Sequence, residues 1–318
     1  MKLQTQVPLK KATNKISYNS QLLLLGSCFV ENIGDRLAYH KFQSVQNPFG
    51  ILFHPKAIEN LVVNAVDNKV YTEEDIFFLN ERWHCFDAHS DLSAISKQEL
   101  LQKLNDNLDK TYQQIEQSTH IIITLGTAWV YKHIKRKTTV ANCHKVPQKE
   151  FFKEILSVKE IIKSLENIVT KVQSMNMNAQ FIFTVSPVRH LKDGFVENQQ
   201  SKAHLITAIH QFFENSLLRI TEGYFESYEI MMDELRDYRF YAEDMIHPNR
   251  TAINYIWEKF RLVWIADKVN PIMQQVDIIQ KGFKHRPFNE KSEQHQQFLK
   301  SLEKKILYLQ NEYSFIKF

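Results

Sequence analysis

The chain has 318 residues, 43% of them hydrophobic and 24% charged, which predicts a packed protein of one large or two modest domains and excludes a fibrous or disordered chain. Only seven glycines occur, which is too few for a glycine-rich phosphate-binding loop, so nucleotide-binding motifs of that type are excluded. The net charge of +4 comes from the two basic ends of the chain, and no nucleic-acid partner is expected because such a partner needs cations clustered on the folded body.

Short apolar runs bounded by turn residues predict buried parallel strands. They lie at Leu22–Leu25, Lys41–Gln46, His120–Leu125, Gln180–Val185 and Tyr224–Ile230. Stretches with apolar residues three or four apart predict helices. One follows Leu22–Leu25, and the others are Pro55–Ala65, Ser96–Glu116, Lys149–Ser174, Glu197–Arg219 and Asn249–Lys268. Strands that alternate with helices in this way are typical of a wound α/β domain.

The pattern changes after residue 268. Pro271 and Pro287 bracket a stretch rich in glutamine and lysine that we predict to be irregular, and Ser292–Leu309 predicts a terminal helix. We therefore expect an α/β domain over residues 1–268 and a C-terminal extension over 269–318. The oligomeric state cannot be read from the sequence.

Three cysteines, Cys28, Cys85 and Cys143, form no C-x-x-C pair. An odd number of thiols favours a reducing compartment, and we expect the cytoplasm. The N-terminal residues lack the apolar stretch of a signal peptide, and the sequence contains no run of 18 apolar residues. No membrane partner is therefore expected.

Three of the scarce glycines, Gly26, Gly50 and Gly126, follow predicted strands. In open α/β sheets the carboxyl ends of the strands form the edge at which ligands bind. Ser27 comes next to Gly26, at the start of the predicted helix. Its hydroxyl is either a nucleophile, favoured by the helix N-terminus, or an ordinary helix N-cap.

A carboxylate and an imidazole, Asp244 and His247, are three residues apart and are followed by Pro248. At that spacing the carboxylate reaches Nδ1–H of the imidazole and leaves Nε2 free to act as a general base. The pair follows the last predicted strand and precedes a predicted helix, so it is expected at the same edge of the sheet as Ser27.

Other side chains offer rival chemistry. Cys28 is intrinsically a better nucleophile than serine, but one residue further along a helix its side chain points about 100° away. Arg189 follows a predicted strand and either clamps an anionic substrate or makes a structural salt bridge. A cluster of metal-ligand types lacks the spacing of a tetrahedral site; it consists of His84, Cys85, Asp87 and His89.

Several blocks of the sequence, between about Leu22 and Trp264, resemble the GSCFA-domain family. The blocks are Leu25-Gly26-Ser27-Cys28-Phe29-Val30-Glu31-Asn32-Ile33-Gly34, with Val30 where the name motif has alanine, then Asn47-Pro48-Phe49-Gly50, Leu125-Gly126-Thr127, Asn142-Cys143-His144-Lys145, Ser186-Pro187-Val188-Arg189-His190 and Asp244-x-x-His247-Pro248. That family is similar to the SGNH/GDSL esterases. The resemblance implies a three-layer α/β/α fold with a parallel sheet of about five strands. It also implies Ser27 as nucleophile, His247 as base and Asp244 as the residue that orients the base.

The resemblance fails at one position. SGNH enzymes usually carry a Gly-x-Asn block whose asparagine donates to the oxyanion, whereas this chain has Gly126-Thr127-Ala128. The backbone N–H groups of Ser27 and Gly50 are expected as two donors. Asn47, or alternatively Asn142, is the candidate for the third.

The function that these features predict is hydrolysis of a small-molecule or glycan acyl ester through an acyl-enzyme on Ser27. No organic cofactor and no metal is expected. An acyltransferase would use the same residues. A binding or scaffold protein that has kept the fold without turnover is the alternative from another class.

Overall fold

The computed structural model describes residues 4–215 and 223–318. Its strands, in chain order, are β1 (Gln21–Gly26), β2 (Gln43–Gln46), β3 (Ile76–Leu79), β4 (Arg82–Cys85), β5 (His120–Leu125), β6 (Trp129–His133), β7 (Thr138–Val140), β8 (Phe151–Ile155), β9 (Gln180–Val185) and β10 (Tyr224–Phe225). Its α-helices are α1 (Cys28–Tyr39), α2 (Pro55–Val66), α3 (Lys97–Gln117), α4 (Val158–Met175), α5 (Phe195–Asn215), α6 (Ser227–Glu229), α7 (Arg250–Trp264), α8 (Asn270–Lys284) and α9 (Glu293–Glu312).

Five strands form one parallel sheet in the order β10-β9-β5-β1-β2. The chain leaves β1 towards β2 on one side and later returns to β5 on the other side. The order of the strands therefore reverses between β1 and β5, and open α/β sheets bind ligands in the crevice outside such a reversal. The ends of β1 and β5 are where a site is expected.

Helices cover both faces of this sheet. Odd-numbered residues of β1, such as Leu23 and Leu25, pack in a core under α2, α3, α4 and α5, whereas Leu22 and Leu24 pack in a second core under α1 and α7. This alternation is the period of two that a strand imposes on its side chains. The predicted three-layer α/β/α fold with a sheet of five strands is confirmed.

Two antiparallel elements are inserted between the strands of the main sheet. β3 and β4 form a hairpin, and β7, β6 and β8 form a three-stranded sheet. The two insertions meet at a small core of Phe86, Val140 and Phe151. The basic run Lys132–Lys137 spans the connection between β6 and β7, which pair as an antiparallel hairpin.

Two predicted segments were partly wrong, and the end of a third lies outside the described residues. The strand predicted over Tyr224–Ile230 ends at Phe225 because Ser227 starts a helical segment and donates its hydroxyl to the carbonyl of Val185. The helix predicted over Lys149–Ser174 begins only after Ser157, whose capping box with Glu160 fixes its start, and the residues before it pair with β6. The helix predicted over Glu197–Arg219 begins at Phe195 and is described as far as Asn215, and its predicted end at residues 216–219 lies outside the described part.

The C-terminal extension is more regular than predicted, since α8 occupies most of the stretch expected to be irregular. The extension packs against the α/β body. Ile316 is buried in the second core, and the ring of Tyr313 lies 5.1 Å from the ring of Tyr18. A helix long and apolar enough to cross a membrane is absent from residues 4–215 and 223–318.

Candidate active site

The turn between β1 and α1 is built around Gly26. Its φ is +140°, and a Cβ there would lie 2.2 Å from the carbonyl oxygen of Thr124. Ser27 follows as the N-cap of α1, with Oγ accepting the N–H of Phe29 at 3.4 Å. The predicted N-cap role is therefore present. Ser27 is 1% exposed, so its hydroxyl lies below the surface at the crevice between β1 and β5.

The Asp244–His247 pair forms a closed turn. Oδ2 of Asp244 lies 2.6 Å from Nδ1 of His247. The other oxygen, Oδ1, accepts the backbone N–H groups of Ile246 at 2.9 Å and of His247 at 3.0 Å. The backbone and ring hydrogen bonds from His247, together with the N–H of Ile246, lower the pKa of Asp244 to about 2. The carboxylate therefore stays ionised and orients the imidazole over the whole physiological range.

Arg189, which follows β9, is hydrogen-bonded to the Asp244–His247 turn. Its backbone N–H donates to the carbonyl of Ile246 at 3.2 Å, and its Nη1 donates to the carbonyl of Met245 at 3.0 Å. The guanidinium also lies 5.5 Å from the ring centre of Tyr241. Arg189 thus positions the Asp244–His247 turn at the carboxyl edge of the sheet, and its predicted role as a substrate clamp stays a prediction.

The two backbone donors expected for an oxyanion already have partners. The N–H of Ser27 donates to the carbonyl of Thr124 at 3.0 Å, which extends the β1–β5 ladder by one bond. The N–H of Gly50 donates to the carbonyl of Asn47 at 2.8 Å, which closes a turn. In this structure neither N–H is free for a substrate oxygen, because local backbone geometry uses both.

The two candidate asparagines also have structural roles. Asn47 accepts the N–H of Gly26 at 2.9 Å and donates to Glu31 at 3.3 Å, so it joins the ends of β1 and β2 to α1. Asn142 accepts the N–H of His144 at 2.8 Å and lines a separate cavity together with His84. Neither asparagine makes a hydrogen bond to Ser27 within the described part of the chain.

Two side chains that the sequence analysis did not select lie at this edge. Lys202 of α5 is 1% exposed, and its Nζ donates to the carbonyls of Gly126 and Ser186, each at 2.7 Å. His190 packs against Gly126 and the ring of Phe53. A helical projection would have placed Lys202 on the buried stripe of α5. The sequence signal for His190 was its place in the block that begins at Ser186.

The rival nucleophile and the rival metal site have other contacts. Burial raises the pKa of the Cys28 thiol, Glu31 raises it further and Lys202 opposes both, so the thiolate is disfavoured. His84 bonds to Ser93 and Leu79. Within the described residues no group of three or more His, Cys, Asp and Glu side chains is arranged to hold a metal ion.

Ser27 and His247 lie at the same carboxyl edge of the main sheet but are not hydrogen-bonded to each other. His190 is electrostatically close to both Lys202 and His247, and Lys202 is close to Cys28, so these side chains form one neighbourhood. Among the described residues, however, no hydrogen bond joins Ser27 to His247. His247 is half exposed, whereas Ser27 is buried.

The comparison with protein families covers both parts of the chain. The model of the GSCFA family matches residues 21–260. The chain belongs to the GSCFA family. In this GSCFA protein a second family model, for the C-terminal domain of GSCFA domain proteins, matches residues 276–318. No curated protein is similar enough to count as a relative. The resemblance seen in the sequence blocks is thereby confirmed, and all the candidate site residues lie inside the first matched range.

Proposed function

We propose that this GSCFA protein is a serine hydrolase that cleaves a small acyl ester. The observation that carries the proposal is the 2.6 Å contact between Asp244 and His247, at the sheet edge where Ser27 follows β1. An aspartate bound to Nδ1–H leaves Nε2 as the proton acceptor of the imidazole. The serine needs such a base because a neutral hydroxyl is a weak nucleophile.

The reaction proceeds in two halves. Nε2 of His247 takes the proton of Ser27 as Oγ attacks the ester carbonyl, and the same proton goes to the leaving alcohol when the C–O bond breaks. Water then attacks the acyl-enzyme, gives a proton to His247 and releases the acid and the serine. The bond from Phe29 to Oγ is 3.4 Å, longer than the usual range, so freeing the hydroxyl from its cap costs little.

A cavity next to Arg189, the residue bonded to the Asp244–His247 turn, is our proposed place for part of a small substrate, although neither Ser27 nor His247 lines it. Its volume is about 240 Å³, and its lining includes Arg189, Met231, Leu235 and Tyr241. Ligand pockets for drug-sized molecules are about 300–1,000 Å³, so only a small group, such as a short acyl chain, is proposed for this space. The apolar methionine and leucine side chains suit its hydrocarbon part, and the guanidinium suits a polar substituent.

The test is labelling with a fluorophosphonate followed by intact mass and peptide mapping. Wild type should gain one adduct on Ser27 and hydrolyse p-nitrophenyl acetate, and Ser27→Ala should lose both. Cys28→Ala is the matched control at the next position and should keep most of both. Asp244→Asn should fold but lose about 10²–10⁴ in kcat, because the imidazole tautomer is no longer fixed.

A binding or scaffold role is the second candidate, and the burial of Ser27 favours it. A hydroxyl that serves only as an N-cap would not label, and Ser27→Ala would then lose only about 0.5–2 kcal/mol of stability. Wild type that folds but neither labels nor hydrolyses the ester would establish this role over the hydrolase. Adduct formation on Cys28 in place of Ser27 would reverse the choice of nucleophile.

A further inference from the structure

The His190 imidazole is held over the end of β5. Its Nε2 lies 3.0 Å from the position that a Cβ on Gly126 would occupy, so the glycine makes room for the ring. The ring packs against Phe53 with centroids 5.9 Å apart. The backbone N–H of His190 donates to Oδ1 of Asn198 at 2.8 Å. These contacts fix the direction of the ring without using Nε2.

The strand register sets Gly126, against which this nitrogen packs, at the end of the strand next to the one that Ser27 follows. β1 and β5 pair with Gly26 opposite Thr124, so Ser27 and Gly126 leave neighbouring strands. Neighbouring strands lie about 4.8 Å apart. A carbonyl attacked by Ser27 at this edge would lie near the two strand ends, and Nε2 of His190 borders the end of β5.

Nε2 of His190 is buried and has no hydrogen-bond partner among the residues that the structure describes. Leaving a buried donor or acceptor unpaired costs about 1–3 kcal/mol. Several other buried side-chain atoms of the described residues also lack a partner, among them ring nitrogens of His40 and His144. His190 is selected by its place at the end of β5, and a catalytic role is one explanation for an unpaired group. A substrate oxygen would supply the missing partner.

The charge state of His190 suits a donor that does not transfer its proton. Burial first, and then the neighbouring Lys202 and His247, lower the pKa of His190 to about 3. The ring is thus neutral at physiological pH, and a neutral imidazole carries one N–H donor. A neutral histidine of lowered pKa can polarise a substrate carbonyl through that donor.

We infer that His190 donates its Nε2–H to the oxyanion of the reaction at Ser27, an inference that rests on the proposed hydrolase function. The N–H groups of Ser27 and Gly50 have backbone partners, and the amide of Asn47 is bonded on both sides. His190 therefore takes the place that the sequence analysis gave to an asparagine.

The test compares His190→Ala, His190→Gln and His285→Ala with wild type. His285 is exposed and belongs to the C-terminal segment, so its variant is the matched control. On p-nitrophenyl acetate His190→Ala should lose about 10²–10³ in kcat, the usual effect of removing one oxyanion donor, with KM changed less than threefold. His190→Gln keeps an N–H donor at a similar distance from the backbone. Its kcat should be at least tenfold higher than that of His190→Ala.

A second measurement does not depend on the folding of a variant. In wild type with ¹⁵N-labelled histidine, the Nε2–H proton of His190 should shift downfield when the fluorophosphonate adduct forms, since the phosphonyl oxygen becomes its acceptor. If the adduct forms without that shift, or if a folded His190→Ala keeps kcat within threefold, the inference is wrong and the hydrolase stands. If wild type neither labels nor hydrolyses, both are wrong.

Discussion

Lys202 is a lysine without a carboxylate partner in the described part of the chain, buried between two strand ends. Its Nζ donates to the carbonyls of Gly126 and Ser186, and through them it holds the ends of β5 and β9 together. Burial lowers the pKa of Lys202 to about 7, with the Cys28 thiol opposing the shift. Because an ordinary lysine titrates near 10.4, the group is charged in the unfolded chain over a range in which it loses its proton in the folded protein.

Stability should therefore depend on pH through Lys202. Between pH 7 and about 10 the unfolded chain binds a proton that the folded protein has released, so the free energy of unfolding rises with pH. Below pH 7 both states are charged and the contribution is constant. We expect the free energy of unfolding of wild type, minus that of Lys202→Met, to increase from pH 7 to pH 9. The slope should approach the value for one proton bound by the unfolded chain and released by the folded protein.

Urea denaturation at pH 6, 7, 8 and 9 measures this difference. Both proteins should carry Cys28→Ala, because the Cys28 thiol interacts electrostatically with Lys202 and would complicate the comparison. Taking the difference between the two proteins cancels the titration of groups that they share. A difference that stays level from pH 6 to pH 9 would contradict the lowered pKa.

At the scale of single residues, the sequence predicted those parts of the site that are local. The Asp244–His247 contact follows from a three-residue spacing that closes one turn, and the N-cap follows from Ser27 preceding an amphipathic helix. Lys202 and His190 could not be predicted in the same way, because their burial depends on where α5 and the end of β9 pack. The hydrogen bond from the Ser27 N–H to the Thr124 carbonyl could not be predicted either, because it depends on the register of β1 against β5.

The β1–α1 element depends on one backbone conformation. At Gly26 a side chain would require an unfavourable φ of +140° and would approach the Thr124 carbonyl to 2.2 Å. Gly26→Ala should therefore destabilise the protein by about 2–4 kcal/mol. Chemical denaturation gives this value, and circular dichroism before the transition shows whether the variant is folded.

Gly34, inside α1, is the matched control. A Cβ there would lie 1.7 Å from Oε1 of Gln46, the end of a flexible, exposed side chain whose one hydrogen-bond donor contact is to Asp35 at 3.2 Å, so this side chain can turn aside. Alanine is favoured over glycine within a helix by up to about 1 kcal/mol. Gly34→Ala should thus stay within about 1 kcal/mol of wild type, and equal losses at the two glycines would contradict the role given to Gly26.

At the scale of elements, the sequence predicted best where one face of a strand or helix is buried throughout. β5 and β9 were predicted with their observed bounds because both are continuous apolar runs in the middle of the sheet. The segment Tyr224–Ile230 is interrupted by Glu226, Ser227 and Glu229, and it changes from strand to helix at Ser227. A short run of this kind does not distinguish a buried strand from a buried helix. α8 was missed because Pro271 marks the first turn of a helix as readily as a loop.

The whole molecule is held together by the second core, to which both ends of the chain contribute. Ile16 and Ile316 are buried in it together with β1 and α7. Ile316→Ala should lower the free energy of unfolding by about 2–4 kcal/mol and shift one cooperative transition. Phe288→Ala is the control, because Phe288 is fully exposed and its loss should change stability by less than about 0.5 kcal/mol. A separate early transition in Ile316→Ala would show instead that the C-terminal helices unfold on their own.

The same core determines the order in which parts of the protein can fold during synthesis. During synthesis the sheet strands and α1 leave the ribosome long before Ile316, and contacts between residues so far apart in sequence form late. The face of the main sheet that packs in the second core therefore stays incompletely covered until the C-terminal segment has been synthesised. That face holds Leu22 and Leu24 directly below the Ser27 turn, so the packing that supports this turn is complete only after the C-terminal segment has docked.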